Sequence, residues 1–334
     1  MENLCLKIMN KNMEALAVAR GENEVNLVYT GEYQEGDIII LEVSEGSHYA
    51  WLQWDDAIGK SMVYLTGNVT YRIPFGDRRI NLSPKAFAGK KHLLSVKLAK
   101  EFEIQYYRNL AVNVCDQHEI ENIYPHATAN VETRGEAVFA AQNAIDGYTV
   151  SSCHGEWPYQ SWGINRQEDA RIRIDFGREV LTDTIVVYLR TDFPHDNWWQ
   201  QVSFEFSDGS RMDAAMQRKE GPQEIAIGQK KISWLEMCDM KKSSEPSPFP
   251  ALTQIEVYGS KASVPKFRAG RSSLCLKMGK CGRMMLESRF RPMAVASFSM
   301  TVCGTGTENT RGPRTARVPP VWMSSVSAAI RPKT

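Results

Sequence analysis

The residues best suited to chemistry gather in two short stretches. One is SCHGEWPYQSWGIN, Ser152 to Asn165, with His154, Glu156, Trp157, Tyr159 and Trp162. The other is DFPHDNWWQQ, Asp192 to Gln201, which follows Arg190 and brings His195, Asp196, Asn197, Trp198 and Trp199. Aromatic rings offer flat contact area at low entropic cost, while His, Glu, Asp, Asn and Arg fix hydrogen bonds at set angles. That mixture suits a sugar, whose C–H face stacks on a ring while its hydroxyls need donors and acceptors. Other chemistries are open. His154, Glu156, His195 and Asp196 could ligate zinc or another divalent ion if the stretches met, although neither contains HxH or HExxH. Glu156 and Asp196 could form a glycosidase pair if their carboxyls stood about 5 or about 6.5–9.5 Å apart. No GxSxG supports a serine hydrolase. The same aromatic loops could equally form the hot spot of a protein–protein interface.

Strands must position these residues. Before about Val114 the chain runs through NLVYT, DIIILEV, HYAWLQW, SMVYL, YRIPF and HLLSVKLA, separated by turn signals such as GEYQEGD and FGDRR. Period-two alternation at this spacing predicts an antiparallel sandwich or jelly roll. In HYAWLQW, Trp51 and Gln53 share one face, Leu52 and Trp54 the other. The stretches ARIRIDFG, TDTIVVYLR, QVSFEFSDGS, EIAIG, KISWLEMCDM and LTQIEVYG continue the pattern after Glu119, with one short helix expected at Ala137 to Ile145. Extending the alternation of Val202, Phe204 and Phe206 backwards places Trp198 in the core and turns Trp199 outward as a contact. The expected organisation is all-β: a sandwich of unknown role at 1–118, a second sandwich at 119–260, and a basic tail at 261–334.

Residues 137–260 carry AVFAAQNAIDGYTVSS, QSWGI, ARIRIDFGREVLTDTIVVYLR, QVSFEFSDGS and PALTQIEVYG in that order. This series resembles the galactose-binding-like, discoidin (coagulation factor type C) β-sandwich family, which includes many bacterial carbohydrate-binding modules. The resemblance implies a jelly roll with ligands on loops at one end of the sandwich and no catalysis. By residue type and loop it carries sugar contacts onto His154, Glu156, Arg190, Asn197 and one tryptophan. Ala144, Asp146, Gly147 and Ser151 fit the family's opening pattern, and Glu256 with Gly259 fits its closing strand. A structural calcium ion held by Asp146, Ser151, Glu256 and nearby carbonyls is what the resemblance implies there, a sensible set for a hard cation. Where the family usually has Trp, two residues after Ser151, this chain has Cys153.

Composition bounds the partners. The chain has 334 residues and a net charge of +1, but residues 261–334 hold 14 Lys/Arg and two Glu. Of 40 basic and 39 acidic residues, the first 260 therefore keep 26 and 37, about −11 against about +12 for the tail. That tail lacks periodicity and aromatic interleaving, so it reads as disordered, or as out-of-frame translation, rather than a nucleic-acid arm. No apolar run approaches the roughly 20 residues that span a bilayer, and lysines interrupt the first apolar patches, so a cytoplasmic chain is expected. Seven cysteines without a CxxC pair suggest reduced thiols. The expected partner is a carbohydrate, not a membrane or nucleic acid. A homo-oligomer or an enzyme partner stays open.

Overall fold

A computed structural model of the chain describes residues 3–191 and 197–261. His195, Asp196 and the tail from residue 262 lie outside the described residues. The first part contains strands β1 (Leu4–Met9), β2 (Ala15–Gly21), β3 (Glu24–Tyr29), β4 (Ile38–Val43), β5 (His48–Gln53), β6 (Ser61–Leu65), β7 (Val69–Arg72) and β8 (His92–Leu98). There follow α1 (Glu101–Gln105), β9 (Arg108–Asn109), β10 (Ile123–Tyr124), β11 (His126–Ala129), β12 (Trp162–Gly163), β13 (Ile172–Arg190), β14 (Trp199–Phe206), β15 (Arg211–Ala215), β16 (Gln223–Lys242) and β17 (Ala251–Lys261).

The first sandwich stacks an antiparallel sheet ordered β2-β1-β4-β7 on another ordered β10-β6-β5-β8-β3. Alternation drives it. Ala50, Leu52 and Trp54 point into the core at full burial, while the Trp51 indole turns outward and donates to Glu103 Oε1 at 3.1 Å. The single-turn helix α1 has no period in the sequence to announce it.

The second sandwich is built from strands long enough to serve both layers. The start of β13, Ile172–Asp175, lies between β11 and the end of β16, which pairs on with β14 and β15. From Val180 onward β13 lies between the start of β16 and β17, to which β12 and β9 add. The switch occurs at a break in register between Asp175 and Val180, where Gly177 adopts φ +64° and donates its N–H to Asp175 Oδ1 at 2.7 Å. A Cβ at Gly177 would stand 2.3 Å from the Tyr124 ring, so glycine is required twice over. The inner faces bring together Ile172, Ile174, Phe176, Ile185, Val187, Phe204, Leu235 and Val257. The expected helix at Ala137 to Ile145 is a pair of 3₁₀ turns, Ala137–Phe139 and Ala141–Ile145.

Around residue 118 the chain serves both cores. Leu110 and Ala111 belong to the second, then Cys115, Ile120 and Ile123 to the first. The crossing is tied by Asp116, which accepts from His126 Nδ1 at 2.7 Å and Ala127 N–H at 2.9 Å, and by Asn113 Nδ2, which donates to the Pro125 carbonyl at 2.7 Å. The described residues form one compact unit.

The tryptophan pair reverses the parity read from the sequence. Trp199 is fully buried and packs 6.5 Å from Trp162 in the core, whereas Trp198 is half-buried at its margin. The cause is a bulge in β14 between Trp199 and Gln201, where two steps along β14 face the single step from Lys242 to Lys241; the second irregularity, between Gln201 and Ser203, places its extra residue on β16. An extra residue in the strand flips the faces before it relative to those after it.

Candidate functional site

The first of the two loops is exposed from Ser152 to Glu156 and sinks into the protein at Tyr159. It closes on itself through the Ser152 N–H, which donates to the Pro158 carbonyl at 2.7 Å, and a tight bridge between Cys153 and Glu156. His154 stands at its tip over Phe139, with ring centroids 6.5 Å apart and planes within 20°, and meets Tyr159 edge-on at 5.8 Å. Glu156 faces solvent. Trp157 packs edge-on against Tyr148 at 5.5 Å, and its buried Nε1 has no acceptor among the described residues.

The described residues expected from the second loop, Arg190, Asn197 and Trp199, are structural rather than exposed. Arg190 is 1 % exposed, its Nη1 donating to the Tyr159 carbonyl and its guanidinium lying over the Tyr159 ring at 5.7 Å. It therefore positions the first loop from beneath. Asn197 is fully buried: its Nδ2 donates to the carbonyls of Glu245 and Ser247, and its Oδ1 accepts from Trp198 N–H at 2.7 Å and Ser243 Oγ at 2.8 Å. That is a clamp on the loop before β17. Trp162 is also fully buried and donates to the Val131 carbonyl at 2.9 Å. As sugar contacts, Arg190, Asn197, Trp162 and Trp199 are corrected to supports: a bound molecule cannot reach side chains that the packing covers. Tyr159, 5 % exposed, presents an edge beneath His154.

What the fold gathers around His154 is a cavity of about 130 Å³ lined by Arg134, Phe139, Asn165, Arg166, Phe249 and the backbone of Gly163. The Arg166 guanidinium lies 4.6 Å over the Phe249 ring, with no carboxylate partner among the described residues. Arg134 lies 5.7 Å over Phe139 and is braced by Glu136, at 2.6 and 2.8 Å. Three lining residues have left-handed backbones, Arg134 (φ 53°), Asn165 (φ 48°) and Arg166 (φ 62°). For a side chain other than glycine this costs on the order of 1 kcal/mol or more, and such strain concentrates where geometry serves binding. At the rear, a Cβ on Gly163 would stand 2.5 Å from Thr133 Oγ1, which itself accepts from Asn165 N–H at 3.0 Å. Four of these residues, Arg134, Phe139, Arg166 and Phe249, were not singled out from the sequence. The available signal was Phe249 set between two prolines in a polar loop.

The Asp146 turn lies under the first loop. Asp146 Oδ1 accepts from Tyr148 N–H at 2.8 Å and Oδ2 from Gln160 Nε2 at 3.0 Å, while Gly147 N–H donates to Gln254 Oε1 at 3.2 Å. Burial pushes the carboxyl up to about 8, against those two hydrogen bonds. A carboxyl oxygen at a tight Asp-Gly turn is the type of hard donor that calcium takes, although both Asp146 oxygens here already accept hydrogen bonds. Ser151 is half-buried nearby in sequence, and Glu256 on β17 accepts from the Tyr258 hydroxyl at 3.2 Å. Among the described residues a separate acidic group, Glu205, Glu236 and Cys238, lies on β14 and β16. Its carboxylates are already neutralised, Glu236 by Arg171 at 2.8 Å and Glu205 by Arg211 at 2.9 Å.

No family model and no curated protein matches the chain. Solved structures do. The chitosan-binding module 1 of a chitosanase/glucanase from Paenibacillus sp. IK-5 is 17 % identical, with a TM-score of 0.33, over 46 % of this chain and 99 % of that one. The lectin domain of lectinolysin complexed with Lewis B antigen is 17 % identical at a TM-score of 0.34, over 46 % and 97 %. The family 32 carbohydrate-binding module from C. perfringens NanJ in complex with galactose is 13 % identical at 0.31, over 40 % and 91 %. These neighbours are carbohydrate-binding modules, the class that the motifs at 137–260 resemble.

Proposed function

We propose that this chain is a non-catalytic carbohydrate-binding protein that holds a sugar at the loop end of its second sandwich. The observation that carries the reading is the grouping at the 130 Å³ cavity: His154 over Phe139, Arg166 over Phe249, and Arg134 braced by Glu136. Aromatic edges and faces meet the C–H surface of a sugar, and the guanidinium and imidazole N–H groups meet its hydroxyls. The small volume suits one ring, with the remainder of a glycan in solvent. A structural calcium ion at the Asp146 turn belongs to the same reading. The Asp146 carboxylate, the Ser151 hydroxyl, Glu256 and turn carbonyls would hold it, and its role would be to fix the loop that carries His154.

A glycan array followed by titration calorimetry tests this. Arg166→Ala and Phe249→Ala are expected to weaken the best glycan at least about tenfold, the equivalent of one charge-assisted hydrogen bond or one stacking contact. A wild-type protein that retains no glycan overturns the proposal. Substituting Arg190 or Trp199 does not test a sugar contact, because both are buried and act through folding.

A further inference from the structure

Between the two sandwiches lies a second, larger cleft of about 670 Å³. The first sandwich contributes Tyr49 from β5 and Tyr64 from β6, and the second contributes Arg178 from the β13 bulge, Lys231 from β16 and Lys261 from β17. Arg178 sits where β13 changes layer, one residue after Gly177. Its guanidinium lies 4.9 Å over Tyr49 and 5.0 Å over Tyr64, and its Nε donates to the Tyr49 hydroxyl at 3.0 Å. One Nη1 bond goes to the Phe176 carbonyl. Among the described residues every partner is neutral. Among the described residues the Nη2 donors have no acceptor, and they are not among the fully buried unsatisfied atoms, so they open onto the cleft that Arg178 lines.

The charge around Arg178 is likewise uncompensated. Arg108, 9 % exposed, donates from Nη1 to the Ile104 carbonyl at 2.9 Å and has no carboxylate within ion-pair reach among the described residues. Burial lowers the affinity of both guanidinium groups for their protons, and Arg178 lowers that of Arg108 further. The two acids in the cleft pair with its two lysines, Glu179 with Lys231 at 2.6 Å and Glu101 with Lys261 at 3.4 Å, which leaves Arg178 as the excess positive charge of the lining. Two desolvated cations without anions are unfavourable unless an anion joins them. Arginine with a free Nη edge is matched to a flat or tetrahedral oxyanion.

We propose that this cleft is a second binding site, for a small molecule bearing a carboxylate, sulfate or phosphate group, with Arg178 taking the oxyanion and the lysine rim the remainder. The volume accommodates more than an inorganic ion and matches a sugar acid or sugar ester. This site stands apart from the loop-end cavity and does not depend on the reading given there.

Calorimetric titration of the full chain with glucuronate, glucose 6-sulfate, glucose 6-phosphate and neutral glucose tests the proposal and distinguishes the three oxyanions. At least one acidic probe is expected to bind about tenfold or more tightly than glucose, a ratio set by one charge-assisted contact. Arg178→Met should abolish that preference while Phe249→Ala leaves it unchanged. Equal binding of acidic and neutral probes, or a preference that survives Arg178→Met in folded protein, overturns it. If Arg178→Met does not fold, the rim variant Lys231→Gln/Lys261→Gln decides: a loss of about fivefold or more supports the site, and unchanged affinity refutes it.

Discussion

Asp146 makes stability depend on pH in a direction opposite to that of most carboxylates. Its carboxyl is raised from 3.8 to about 8, by burial first, with the Tyr148 N–H and Gln160 amide pulling the other way. Between about pH 4 and pH 8 the native protein keeps a proton that the unfolded chain has released. Stability therefore falls as pH rises through that window and levels off above it. One proton of difference is worth about 1.4 kcal/mol per pH unit, so the interval from pH 5 to pH 7 accounts for up to about 2.7 kcal/mol. Residual solvent contact at this turn screens the charge, which brings the expected change to about 1–3 kcal/mol. Urea unfolding of wild type and Asp146→Asn at pH 5, 6 and 7 in chelator isolates the effect, because groups common to both cancel in the difference. Asn keeps the acceptor for Tyr148 and removes the titration, so its advantage over wild type should grow by that amount as pH rises. Calcium should reverse the order at pH 7, stabilising wild type alone and displacing the proton. Profiles that run parallel in chelator would refute the account of Asp146 as an enclosed, cation-free carboxyl.

Other substitutions address the scaffold. Trp199→Ala is expected to cost about 3–5 kcal/mol in urea unfolding and Trp198→Ala clearly less, since only the former is fully buried; the opposite ranking would restore the simple alternation of β14. Asn197→Ala leaves the carbonyls of Glu245 and Ser247 without their donor, costing about 1–3 kcal/mol. Because the freed loop carries Phe249, the same variant should weaken glycan binding in calorimetry without removing a contact. Gly177→Ala should lower the melting temperature by several degrees, given a positive φ and the clash with Tyr124, equivalent to about 1–3 kcal/mol.

Much of the fold was legible because period two is a strong signal wherever one face of a strand is buried. Leu52 and Trp54 against Trp51 and Gln53 fell on the faces that alternation assigns. Parity failed at Trp198 and Trp199 for a definite reason: a bulge adds one residue, and nothing in WWQQVSF marks where the hydrogen-bond ladder slips. The site was legible only in part. The sequence draws attention to Arg190 and Asn197 as polar groups among aromatics, yet the same property lets them satisfy buried carbonyls.

The loop end is held from below on both of its sides. Arg190 holds the Tyr159 carbonyl beneath His154, and Asn197 holds the loop that ends in Phe249, so the two sides of the 130 Å³ cavity are each anchored by a polar residue at a strand end. Neither anchor has to touch a ligand for its loss to blunt recognition, since contacts held from below are preorganised and contacts on free loops are not. Variants at Arg190 and Asn197 should therefore lose affinity together with stability. Variants at Arg166 should lose affinity alone, and that separation distinguishes the walls of the cavity from the residues that hold them.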